Sequence, residues 1–164
     1  MASQPPSASP LFLREAEIRR GIELLFFGHG ELMASADALL EEKGLGRAHH
    51  RALYFIARKP GLPVGDLIAL LGITKQSLGR VLRELEQREL VERKPGREDR
   101  RQVLLKLTAS GTALEAKLFE ALREKMVAAY SDAGSAAISG FWTVLEKLLS
   151  ADRAALAGEL GDKR

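Results

Sequence analysis

The chain has 164 residues, 46% of them hydrophobic and 29% charged, a length and balance that suit one soluble globular domain with a sizeable core. It has no cysteine, which excludes disulfide staples, thiolate-ligated zinc, iron–sulfur clusters and thiol redox sensing, and fits a reducing, cytoplasmic setting. The net charge of +3 is small, and no apolar run approaches the ~18 residues a membrane helix needs, so no membrane partner is expected.

Residues 1–10, MASQPPSASP, are polar and proline-rich and lack the basic start and apolar segment of a signal peptide, so they read as a disordered tail. Leu11 to Lys43 reads as a long helix, because Ile18, Ile22, Leu25, Phe26, Leu32, Met33, Leu39 and Leu40 recur at helical spacing. Gly28 and Gly30 flank His29 within it. Each costs ~1 kcal/mol against alanine in a helix interior, so the pair predicts a bend or a close backbone approach. Gly44 and Gly46 end the helix. A second helix, Arg47 to Arg58, carries Ala52, Leu53, Phe55 and Ile56 on one face, and the run from Lys59 to Pro63 breaks it.

Val64 to Leu71 is a short third helix closed by Gly72. Thr74 is placed to cap a fourth, in which Leu78, Val81, Leu82 and Leu85 form one stripe and Lys75, Gln76, Gly79, Arg80 and Arg83 the opposite one. Leu90 to Lys94 and Val103 to Leu107 read as strands joined by the charged loop Pro95 to Gln102. Thr108 caps a helix running to about Ser131, with Leu114, Leu118, Leu122 and Met126 at four-residue spacing. A last helix runs from about Ser135 to Leu160. The predicted fold is therefore mainly α with a small β-hairpin wing. A winged helix-turn-helix spans residues 47–108, between helical segments 11–46 and 109–160.

Charge is distributed unevenly along this order. Between Thr74 and Leu107 lie ten basic and six acidic residues, a local +4, while the rest of the chain sums to −1. A basic segment on a neutral body is the footprint of a phosphate-backbone binder. A protruding helix fits a major groove about 12 Å wide, where Gln76 can pair with adenine and Arg80 with guanine. Thr74, Lys75 and Ser77 suit phosphate oxygens near the positive helix N-terminus, and Arg83 continues the basic stripe. Arg97, Arg100 and Arg101 on the hairpin tip suit a minor groove, whose narrow width concentrates negative potential. Asp99 would repel phosphate, so its expected role is to pair with a neighbouring arginine and orient the tip.

The stretch LVERKPGREDRRQVLLKLTASG resembles the wing and following helix start of the MarR family of bacterial regulators, most tellingly at Asp99, Arg101, Leu107, Thr108 and Gly111. The resemblance extends from the first helix to the last and is most specific from Leu67 to Gly111. It implies a sequence-specific, DNA-binding transcriptional regulator. Such a protein is a homodimer held by its terminal helices, usually a repressor of pseudo-palindromic operators, and needs no cofactor. Ser77 and Arg80 match recognition-helix positions of the family, and Arg101 its wing-tip arginine. The apolar terminal residues Leu11, Phe12, Phe141, Trp142, Leu145, Leu148 and Leu149 are independent candidates for the dimer interface, against the alternative that these helices close a monomeric core.

Family members often bind small aromatic or phenolic effectors between the dimer helices and the DNA-binding lobe. Phe26, Phe27, His29, His50, Tyr54 and Phe55 are the candidates here. The glycines beside His29 would make room for such a ligand, or equally allow a plain helix–helix crossing, the favoured reading. His49 and His50 are adjacent on a helix and point about 100° apart, so no metal site is expected of them. A site of His49, His29 and a carboxylate, and a histidine pH switch, are the weaker readings. No cysteine nucleophile, Gly-rich phosphate loop, HExxH or GxSxG motif is present, so an enzyme is not expected. The rival from another class is a winged-helix adaptor that binds protein and does not read DNA.

Overall fold

A computed structural model describes residues 10–96 and 100–161 of the chain. A 3-10 turn, Pro10–Leu13, precedes α1 (Glu15–Glu42), followed by α2 (Arg47–Arg58), β1 (Leu62–Pro63), α3 (Val64–Leu71), α4 (Lys75–Gln87), β2 (Val91–Pro95), β3 (Val103–Leu107), α5 (Ala109–Ala133), α6 (Ser135–Leu148) and α7 (Ala151–Gly161).

Local chemistry sets most of these boundaries. Glu15 and Glu17 sit in the first turn of α1, where negative charge complements the helix dipole. That helix ends as Gly44 turns left-handed (φ 60°) and Leu45 N–H donates back to the Leu40 carbonyl. Gly72 likewise closes α3 in the left-handed region (φ 64°). Thr74 and Thr108 cap α4 and α5, their hydroxyls accepting from the backbone N–H of Ser77 and Gly111.

Three elements depart from the sequence reading. The run Lys59–Pro63 is more than a breaker, because Leu62 and Pro63 pair antiparallel with Leu105 and Leu104 as β1. Gly61 N–H donates to the Leu105 carbonyl, and Pro63, which has no N–H, is tolerated on an edge strand. The sheet order is β1-β3-β2, with β2 and β3 in register from Val91↔Leu107 to Pro95↔Val103. Next, the expected last helix is two helices. Leu149 is extended (ψ 142°), and Ser150 starts α7, its hydroxyl and carbonyl accepting from the N–H groups of Arg153 and Ala154. Finally, α1 runs unbroken through Gly28 and Gly30, and nothing among the described residues lies within 4 Å of where a Cβ would stand at either. The predicted close approach is absent because neither glycine's Cα faces the neighbouring elements closely enough for a Cβ to meet them.

The core lies under the winged helix-turn-helix. Leu53 and Ile56 of α2, Leu67 of α3, Leu78, Leu82 and Leu85 of α4, Leu62 and Leu105 of the sheet and Leu118 of α5 are fully buried. Beyond Gly30 towards the N-terminus no residue of α1 is buried, and α6 has no buried residue at all.

Candidate nucleic-acid interface

The apolar stripe of α4 faces the core, so its opposite side must face solvent. Thr74, Lys75, Gln76, Ser77, Arg80 and Arg83 are all exposed there. The carboxylates of the same helix are engaged elsewhere. Glu84 Oε2 lies 2.6 Å from Nε2 of His49 on α2, and Glu86 Oε1 lies 2.6 Å from Nε of Arg93 on β2. Glu84 is one helical turn beyond Arg80, the spacing at which it would otherwise neutralise that arginine. Lys75, Arg80 and Arg83 accordingly have no ion pair among the described residues, and α4 presents net positive charge outward. Thr74 has a second role, since its hydroxyl accepts from Ser77 N–H at 3.1 Å and donates to Ser77 Oγ at 2.9 Å.

The His49–Glu84 link was not foreseen in the sequence. His49 is the third residue of α2, and its Nδ1 accepts from the Gly46 N–H at 3.0 Å, capping the helix. That bond requires Nδ1 to be unprotonated, so Nε2 carries the proton donated to Glu84. The available signal was the G-R-A-H spacing, a cap position followed three residues later by a side chain that reaches back.

At the wing, Gly96 N–H donates to the Gln102 carbonyl at 2.9 Å, closing the base of the loop. Arg100 and Arg101 are exposed at its tip, and Arg101 also has an interaction within the chain. Arg97 and Asp99 lie outside the described residues. Strands β2 and β3 pair with each other, and Arg93 of β2 is ion-paired with Glu86 of α4, so the hairpin is tied to that helix.

A separate cavity of about 280 Å³ opens between α1, α2 and α5, lined by His29, Met33, His50, Arg51, Tyr54, Phe55 and Leu122. It brings together His29, His50, Tyr54 and Phe55 as expected. Phe26 and Phe27 do not line it; both are exposed, at 72% and 71%. Met33, Arg51 and Leu122 were not foreseen, because their convergence depends on how three helices cross. Among the described residues no group of three or more histidines or carboxylates is placed to hold a metal ion.

His50 is buried, and burial holds its pKa below the ordinary histidine value, with the Asp37 carboxylate opposing. Asp37 is itself fixed by Arg47 through bonds of 3.0 and 2.6 Å, which hold its carboxyl below the ordinary range. Below pH ~6.5 the unfolded chain takes up a proton at His50 that the fold resists. The His50 contribution to stability is therefore present above that pH and is lost as pH falls. Urea unfolding at pH 7.5 and 5.5 should show the wild type weakened at the lower pH and His50→Gln weakened less. Equal pH dependence in the two proteins would remove His50 as the cause.

The terminal apolar residues form exposed surface. Leu11, Phe12, Phe141, Trp142 and Leu148 are exposed and Leu145 half-buried. The aromatic residues contact one another. Trp142 Nε1–H donates to the Tyr130 hydroxyl at 3.0 Å, and the Tyr130 ring stands edge-on to Phe141 and Trp142. Among the described residues no helix is long and apolar enough to cross a membrane.

Known proteins share this fold. The sequence model of the MarR family matches residues 43–102, which span the helix-turn-helix and most of the wing. The chain is 48% identical over 145 residues to the HTH-type transcriptional regulator PetP of Rhodobacter capsulatus, covering 88% of this chain and 87% of that protein. The crystal structure of NadR in complex with 4-hydroxyphenylacetate superposes with a TM-score of 0.68 at 27% identity, covering 90% of this chain and 97% of NadR. A MarR-family regulator from Silicibacter pomeroyi superposes with a TM-score of 0.66 at 26% identity, covering 77% of this chain and 85% of that one. With a model of the family matching the helix-turn-helix and a relative 48% identical over 88% of the chain, the chain belongs to the MarR family of DNA-binding transcriptional regulators and is not an enzyme.

Proposed function

We propose that the protein is a homodimeric repressor that reads a pseudo-palindromic operator and is released from it by a small aromatic effector. The observation that carries the reading is the outward face of α4, where Gln76, Arg80 and Arg83 are exposed while Glu84 and Glu86 are held away by His49 and Arg93. A helix with that face can enter a major groove while Arg100 and Arg101 reach the flanking minor groove. The exposed apolar residues of α1 and α6 support the homodimer, because contiguous apolar surface at chain ends marks an interface. A twofold dimer places two reading helices about one DNA turn apart.

The cavity between α1, α2 and α5 supports the effector. It joins an arginine, two histidines and two aromatic rings, a lining suited to an aromatic ring bearing an anionic group. NadR, similar over nearly the whole chain, was crystallised with 4-hydroxyphenylacetate. An effector that binds the released form better than the operator-bound form lowers DNA affinity by that difference.

Solution size combined with selection of bound genomic fragments tests the proposal. A particle of twice the chain mass that enriches an inverted repeat, with affinity falling steeply in salt, is the expected result. A monomer, or binding without sequence preference, would overturn it and favour a partner-binding adaptor. For the effector, 4-hydroxyphenylacetate and related aromatic acids should bind and weaken operator affinity. Binding that leaves operator affinity unchanged would remove the release step alone.

A further inference from the structure

The C-terminal helix α7 does not continue α6 but returns to the reading lobe of its own chain. Arg153 Nη1 donates to the Leu70 carbonyl at 2.6 Å. Its Nη2 stands so close to Gly72 that a Cβ there would meet it at 2.5 Å. From the other side, Arg51 of α2 donates to the Leu71 carbonyl at 2.8 Å. Two guanidinium groups from two different helices thus cover the last two carbonyls of α3, at the negative end of its dipole, where cations and donors are both favoured. Directly after those carbonyls comes the turn of residues 72–74 that aims α4.

The rest of α7 is docked as well. Leu156 and Leu160 are half-buried against the core. Glu159 lies 3.5 Å from Lys59, which stands equally close to Asp66 of α3, and Arg58 donates to the Leu160 carbonyl. At its other end α7 joins α6, whose Phe141, Trp142 and Leu148 are exposed. The α6–α7 segment is therefore a third physical connection between the terminal helices and the helix-turn-helix, in addition to the direct junctions of α1 with α2 and of β3 with α5.

We propose that α7 is a strap that fixes the angle of each reading lobe relative to the dimer helices, with Arg153 as its positioning residue, and that it thereby decides which spacing of operator half-sites the protein accepts. The inference rests on the homodimer reading above. A lobe held at both its ends has one presentation angle, and one angle fits one half-site separation. A lobe that keeps its junctions and the packing of α5 on its core but loses α7 is held less firmly, and tolerates several.

The test uses the full chain and operators whose half-sites are moved closer or further apart by one and two base pairs. The wild type should prefer one spacing by about tenfold, within the range of ordinary coupling energies. Arg153→Ala should flatten that preference. It should leave affinity for a single half-site and the salt slope unchanged, because Arg153 touches the turn and lies off the exposed face of α4. Arg153→Lys should restore part of the preference, since an ammonium still donates to the Leu70 carbonyl. Leu156→Ser, which loosens α7 without touching the turn, should flatten it as well, and these two variants carry the test should Arg153→Ala fail to fold. If the wild type discriminates and every variant discriminates equally, the strap is overturned and the dimer stands. If the wild type is monomeric or indifferent to spacing, the dimer reading fails and the strap with it.

Discussion

Arg80→Ala should lower affinity for the selected operator by roughly 1–3 kcal/mol, the value of a good bidentate base contact. The loss should fall on the preferred sequence and leave binding to unrelated DNA much less affected, because a base contact specifies while a phosphate contact only positions. Arg83→Ala should behave differently, weakening all sequences alike and reducing the salt slope by about 1. Fluorescence anisotropy titrations across a salt series distinguish the two. Equal losses of Arg80→Ala on operator and random duplex would assign Arg80 to the backbone instead. The local electrostatics give the same face a second, smaller sensitivity. His49→Ala frees Glu84 one turn beyond Arg80, and the released carboxylate then competes with DNA for that arginine, so operator affinity should fall without any change at a contacting residue.

Gly111→Ala should be the most destabilising single methyl in the described structure, at about 3 kcal/mol, the upper part of the usual range for overpacking. A Cβ at residue 111 would stand 1.9 Å from the Leu90 carbonyl oxygen and 2.9 Å from its carbon. That carbonyl cannot move aside cheaply. It accepts from Thr108 N–H at 3.1 Å, Leu90 N–H donates to the Leu85 carbonyl at 2.9 Å, and Glu89 is already held in the left-handed region (φ 55°). The Thr108 hydroxyl completes the knot, donating to the Glu89 carbonyl at 2.6 Å while accepting from Gly111 N–H at 3.0 Å. Relief of the clash must shift the start of α5 away from the α4–β2 junction and loosen the base of the wing. Gly140→Ala is the control. Nothing among the described residues approaches its Cβ position within 4 Å, and alanine is the better helix former by ~1 kcal/mol, so that variant should be neutral or slightly stabilised. Urea unfolding followed by circular dichroism measures both. A Gly111→Ala protein as stable as wild type would show that the Leu90–Thr108 junction yields more easily than its hydrogen bonds imply.

These two residues also show how the sequence and the structure divide the information. Arg80 was legible as an exposed residue because its position on the polar stripe of α4 follows from the 3.6-residue period alone, and the burial of Leu78, Val81, Leu82 and Leu85 bears that stripe out. Gly111 was legible only as part of a family-like string. Its reason, a carbonyl 21 residues earlier pressed against its Cα, is a contact between separate elements. The same division runs through the candidate cavity. Of the residues grouped from the sequence, His29, His50, Tyr54 and Phe55 line one cavity and Phe26 and Phe27 do not. Arg51 and Leu122 reach the same space only through the crossing of α2 with α5.

By itself, the sequence determined the elements whose signals are local. Thr74 and Thr108 start helices because a hydroxyl can satisfy the N–H groups of a first turn. Gly44 and Gly72 end them because glycine accepts a left-handed backbone. The alternation of apolar and basic positions in α4 sets which face is buried and which is left basic and exposed. Tertiary structure alone decided what depends on which groups meet. It made β1 from a segment that looked like a breaker, because β3 offered an unpaired edge. It paired Glu84 and Glu86 of α4 with His49 and Arg93, because these arrive from other elements. It bent the last helix at Leu149, because Leu156 and Leu160 find apolar surface beside α3 that a straight helix would leave uncovered. Periodicity and capping reach across a few residues of chain, whereas these outcomes were fixed by contacts between segments far apart in sequence, and only folding brings those together.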